Sequence, residues 1–132
     1  MSNANFQTRE QRYADAVYKK VTSFVARSQE DRQKYGSMAH KLPVLIRTAG
    51  LAQTLAFVQA RNKENSPQVL LLKHLNEVVN RGDLVKLSRE ASVGEYIVIT
   101  NEVLAALLWF KRYAQSVLDV KASDEPKENL DG

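Results

Sequence analysis

The sequence predicts an all-α protein: a compact single-domain bundle of about five to six helices. Three observations carry that prediction. Apolar residues recur at three- and four-residue spacings along most of the chain, the period of helices that turn one face to a core. Helix-start signals at Thr8-x-x-Gln11, Ser66-Pro67 and Thr100 precede these runs, and Gly50 and Gly82 follow two of them. Residues 96–99 are rich in strand formers, but a lone strand leaves its backbone groups unsatisfied.

A chain of 132 residues supports one hydrophobic core. It holds no cysteine, which excludes disulfides and thiolate metal sites and agrees with a reducing cytoplasm. No uninterrupted apolar run approaches the roughly 20 residues needed to span a bilayer, and the N-terminus lacks a signal-peptide pattern, so no membrane partner is expected. Charge is unevenly placed. Residues 1–118 carry 17 Lys/Arg against 10 Asp/Glu, or +7, whereas 119–132 carry 2 against 5, or −3. A basic helical domain over 1–118 followed by an acidic, disordered tail over 119–132 suits a polyanionic partner.

The first helix is predicted over residues 8–28. Thr8 and Gln11 form a capping box, Tyr13, Val17, Val21 and Phe24 make the apolar stripe, and Arg9, Arg12, Lys19, Lys20 and Arg27 flank it. These cations suit either a solvated face or a groove that tracks phosphates. Residues 29–33 read as a turn or as a fraying continuation of the helix. The segment 34–57 then organises the rest. Tyr35, Met38, Ala39, Leu42, Leu45, Ile46 and Ala49 share one arc, while His40 aligns with Arg47, and Lys34 with Lys41, on the remaining surface. Pro43 points away from the seam, and its missing N–H implies a kinked helix or a new helix with proline in its first turn.

Gly50 ends that segment, and 51–61 form the next helix with Leu51, Leu55 and Val58 inward. Gln53, Phe57 and Arg61 share its other side, where Phe57 either stacks a base or belongs to the core. After a linker at 62–65, Ser66 caps a helix with Pro67 in first position and a buried stripe of Leu71, Leu72, Leu75, Val78 and Val79. His74 falls outside the stripe, as a surface histidine. Residues 83–99 are expected to form short helical turns, with Ser92-x-x-Glu95 capping one of them. Thr100 is expected to cap a final helix over 101–119 that is apolar nearly all round and therefore needs covering, centrally or by a partner.

Enzymatic signatures are sparse. The two histidines lie on separate helices with no carboxylate cluster, and there is no glycine-rich phosphate loop, nucleophile elbow or H-E-x-x-H motif, so neither metal nor cofactor is expected. His40 beside Lys41 leaves a metal-independent ribonuclease as a remote option. From the residues alone, the chain is a basic helical domain that binds a polyanion, a protein partner or both.

The 24 residues Lys34-Tyr-Gly-Ser-Met-Ala-His-Lys-Leu-Pro-Val-Leu-Ile-Arg-Thr-Ala-Gly-Leu-Ala-Gln-Thr-Leu-Ala-Phe57 closely resemble the signature of the small subunit of the type III-B CRISPR Cmr effector complex. Leu104-Ala-Ala-Leu-Leu-Trp-Phe-Lys-Arg-Tyr-Ala-Gln-Ser-Val-Leu118 resembles that family's second block, and the likeness spans about residues 9–118. The resemblance implies a non-catalytic cytoplasmic subunit of antiviral defence. It implies other Cmr subunits and copies of itself as protein partners, with guide RNA and target RNA as nucleic-acid partners, and cleavage left to other subunits. Its implied role is to bind and position target RNA along the guide RNA. Guide pairing supplies specificity in such systems, so cations spread over helix faces suit a sequence-independent phosphate track. The expected RNA contacts are Lys34, Lys41, Arg47, Lys111 and Arg112, with Lys20, Arg27 and Arg61 in support; Arg47 alternatively braces the fold against a carboxylate. A helical protein–protein adaptor without direct RNA binding is the alternative.

Overall fold

The computed structural model describes residues 7–122, and among them every regular element is helical. The helices are α1 (Arg9–Thr22), α2 (Gln29–Ala49), α3 (Leu51–Arg61), α4 (Pro67–Val79), α5 (Leu84–Glu90) and α6 (Val93–Ser116). The long pair α2 and α6 forms the spine: α1 lies on α6, α3 on α2, α4 on both, and α5 on α3. Their shared core holds Val17, Val21, Phe24, Tyr35, Leu42, Leu55, Leu75, Ile99, Val103, Leu107 and Phe110.

Side-chain caps decide where the helices begin, and two of them move boundaries away from the sequence expectation. The Thr8–Gln11 capping box forms as expected, with both reciprocal hydrogen bonds. However, α1 stops at Thr22, because Ser28 accepts the Asp31 backbone N–H and starts α2 there. Residues 29–33 are thus the first turn and more of α2, neither a turn nor an extension of α1, and Arg27 lies in the connection. Ser92 likewise accepts the Glu95 N–H and starts α6, a full two turns before Thr100. Residues 96–99 are helical despite their β-branched content, since Ile99 is buried in the bundle and tertiary packing outweighs a weak propensity.

Pro43 sits inside α2 without ending it. It is buried, whereas the helical wheel places it outside the seam. Gly36 and His40, earlier in α2, are covered from the other end of the chain. Beyond α6, Asp119 takes a left-handed conformation (φ 60°), and the Val120 N–H returns to the Ala114 carbonyl at 2.9 Å. Val120 is only 2% exposed, and it lies against Gly36 of α2. The segment assigned by sequence to an acidic tail therefore begins as a buried strap. Its remainder, residues 123–132, lies outside the described residues. From Tyr35 to Pro43, α2 is buried on every side.

Two smaller departures have local causes. Helix α4 ends at Asn80 in left-handed conformation, two residues before Gly82, because asparagine tolerates that geometry. His74 is half-buried, its Nδ1 2.6 Å from the Tyr35 hydroxyl, and is not a surface residue. Burial and then the charge of Lys20 push its pKa down to about 4, and burial raises that of Tyr35. Helix α6 is long and apolar enough to cross a membrane on composition alone, but it supplies Ile99, Val103, Ala106, Leu107, Phe110 and Ala114 to the core.

Candidate nucleic-acid interface

The eight cations expected to meet RNA occupy distinct settings. Lys34, on the first half of α2, pairs with Glu30 one turn earlier at 3.2 Å. Arg61, the last residue of α3, lays its guanidinium over the Phe57 ring, 5.1 Å from the centroid. Phe57 is exposed, so it is not part of the core. Lys34 and Arg61 then meet across a cleft of about 600 Å³ that also takes in Lys63, Glu64, Asn65 and the start of α4. Lys63 carries no helical periodicity and is invisible to wheel reasoning. Its place in the cleft follows from the loop that joins α3 to the Ser66 cap.

Lys41 is 9% exposed and buried in the chain by itself, where the helical wheel leaves it outside. Arg47 is exposed near the C-terminal end of α2 and has no carboxylate partner among the described residues, so it does not brace the fold. On α6, Lys111 is exposed and also unpaired among those residues. Arg112 stacks over Trp109 at 4.7 Å. The Trp109 indole donates to Glu10 at 2.9 Å, and that bond holds the Glu10 carboxyl below its ordinary pKa. Tyr113 packs on Trp109 and meets Tyr18 edge-on at 5.3 Å, which places three aromatic rings beside the Arg112 guanidinium at the α1–α6 seam.

The remaining two serve the bundle. Lys20 pairs with Glu77 and ties α1 to α4, lowering the carboxyl's pKa by that hydrogen bond. Arg27 lies 4.6 Å over Phe24 and 3.4 Å from Asp31, clamping the α1–α2 connection. A second concavity of about 550 Å³ gathers Arg9, Arg12 and Arg81 with Glu77 and Glu102. There Arg81 grips Glu102 through two hydrogen bonds, at 2.5 and 3.0 Å.

Apolar side chains are exposed beside these cations. Val93, Ile97, Val98 and Leu108 of α6 remain uncovered, so the last helix is not wholly enclosed. Leu45, Ala49, Gln53, Thr54 and Phe57 line a shallow hollow of about 160 Å³ between α2 and α3. His40 is buried, with Nε2 2.8 Å from the Val120 carbonyl. That contact occupies one ring nitrogen, while Nδ1 is buried without a partner among the described residues. No group of three metal-ligating side chains occurs among the described residues.

The fold and this surface define a class: a small all-helical domain, with exposed cations near its helix ends and a partly uncovered apolar helix. Residues 9–117 match the family model described as CRISPR-associated protein (Cas_Cmr5). The chain belongs to the Cmr5 family. It is similar to the CRISPR system Cmr subunit Cmr5 of Thermus thermophilus, 45% identical over 116 residues that cover 86% of this chain and 98% of the relative. A crystal structure of a CRISPR-associated Cmr5 family protein from the same organism superposes with a TM-score of 0.75 at 44% identity, over 85% of this chain and 98% of that one.

Proposed function

We propose that this protein is the non-catalytic small subunit of a Cmr effector complex, where it holds the backbone of target RNA along the guide RNA and packs against neighbouring subunits. Family membership supports the place in the complex. The observation that carries RNA contact is the setting of Arg47, Lys111 and Arg112: all three are exposed, and none is neutralised by a carboxylate salt bridge among the described residues. Unpaired cations can take phosphates without first breaking an internal ion pair. Lys41, being buried, belongs to the fold in this scheme, and Lys20 and Arg27 act mainly as braces.

The test replaces Arg47, Lys111 and Arg112 with glutamate in the assembled complex and measures target-RNA retention against salt. The slope of log affinity on log salt should fall by about 2, because each phosphate contact to a single strand contributes about 0.7. A second reading, the protein–protein adaptor, is favoured by the uncovered Val93, Ile97, Val98 and Leu108. Unchanged RNA retention and salt slope in the triple variant would establish it over the first.

A further inference from the structure

We infer, resting on the reading that this chain contacts RNA, that the shallow hollow between α2 and α3 is a pocket for one single-ring base, a uracil or a cytosine standing unpaired in the bound strand. Leu45, Ala49, Gln53, Thr54 and Phe57 line its volume of about 160 Å³. A cavity of about 150 Å³ holds a benzene-sized ring, so the hollow takes one six-membered ring and is too small for the fused pair of a purine. Phe57 is 38% exposed and offers the aromatic surface on which bases of single strands stack. The Arg61 guanidinium lies over that ring, 5.1 Å from its centroid, and lines the neighbouring cleft and not the hollow.

Two observations favour a base over an apolar side chain of a neighbouring subunit. Thr54 is 2% exposed, and its hydroxyl has no partner among the described residues. A threonine in a helix ordinarily donates to a carbonyl one turn back, as Thr48 does to Val44 at 2.9 Å. An unmatched hydroxyl on a residue lining the hollow suits a ring with carbonyl oxygens at its edge, whereas a leucine or phenylalanine would leave it orphaned. Charge points the same way. The five lining residues all fall within residues 32–63, which hold six Lys/Arg and no Asp or Glu. Glu30, which pairs with Lys34, lies before that stretch. A strand laid along these two helices therefore meets cations and no carboxylate from that stretch.

The probes are short ribose-phosphate strands of equal length: one fully abasic, one with a single central uracil and one with a single central adenine. All carry the same phosphates, so differences in affinity report the base alone. Titrated into the full chain, the uracil strand should bind at least about fivefold more tightly than the abasic one, the lower end for one stacked base, and more tightly than the adenine strand. That gain should vanish in Phe57→Ala and in Ala49→Leu, which fills the hollow from an exposed position. It should shrink in Thr54→Val, which should melt no lower than wild type because the hydroxyl it removes has no partner. Affinity for the abasic strand should be unchanged in all three variants. Equal affinity for the uracil and abasic strands overturns the inference and leaves the RNA reading intact. So does a larger gain from adenine, or a uracil gain that persists in both Phe57→Ala and Ala49→Leu. If no strand binds, the base pocket falls, and the salt slope of the assembled complex then decides the RNA reading by itself. Loss of other Cmr subunits from an Ala49→Leu complex, with no base effect, assigns the hollow to a protein side chain and likewise overturns the inference.

Discussion

Replacing Gly36 with alanine should destabilise this protein, although the same change inside an unobstructed helix stabilises by about 1 kcal/mol. A Cβ on residue 36 would lie 2.6 Å from Val120 Cβ and 2.8 and 2.9 Å from its two γ-carbons. The fold can answer in two ways. Retaining the strap under overlap costs about 1–3 kcal/mol, as overpacking of interiors generally does. Releasing it exposes a valine, at about 1.5–3 kcal/mol, and breaks the His40–Val120 hydrogen bond, worth about 1 kcal/mol. The cheaper route costs about 2 kcal/mol, and subtracting the helical gain leaves a net loss of about 1 kcal/mol. Urea unfolding of four proteins measures it: wild type, Gly36→Ala, Val120→Gly and the double variant. Val120→Gly removes all three obstructing atoms, so in that background Gly36→Ala should become stabilising by about 1 kcal/mol. A stabilising Gly36→Ala in the wild-type background, or the same effect in both, would refute the strap as the reason for glycine at this position.

Stability should also fall with acid through His74. Its folded pKa, about 4, lies below the ordinary 6.5, so the unfolded state binds the extra proton. The stabilising contribution is therefore complete above pH 6.5 and declines towards pH 4. For a half-buried ring, partial screening leaves about 1–2 kcal/mol at stake. The stability advantage of wild type over His74→Gln should therefore shrink by about 1–2 kcal/mol between about pH 7 and about pH 4.5, because the variant lacks this titration. At the start of α6, Ser92→Ala should cost about 1 kcal/mol in urea unfolding through loss of the cap. Thr100→Val, which removes a buried hydroxyl without a partner, should be neutral or stabilising; a cost there comparable to Ser92→Ala would contradict the helix boundary. Ile97→Lys with Leu108→Lys should change the stability of the isolated chain by less than about 0.5 kcal/mol and weaken its incorporation into the complex, as read by co-purification.

Features that depend on neighbours along the chain were legible from the residues. Capping at Thr8 and Ser66, the break at Gly50 and the apolar period within each helix all act within a few residues, and the structure contains each of them. Ser28 and Ser92 were available as caps in the same way, but the continuing apolar stripe of 8–24 and the strand-like residues at 96–99 pointed to other boundaries. Which polar faces meet water was settled instead by packing between distant segments. A helical wheel places Lys41, His40 and Pro43 outside the seam, although all three are buried, and it has no means of knowing that Val120, 80 residues from His40, returns to cover Gly36 and His40. The basic cleft has the same origin: Lys34 and Arg61 lie on different helices, and Lys63 on a loop, joined only where α2, α3 and α4 converge. Periodicity measures the chain against itself, whereas burial and charge clustering depend on segments brought together by the fold.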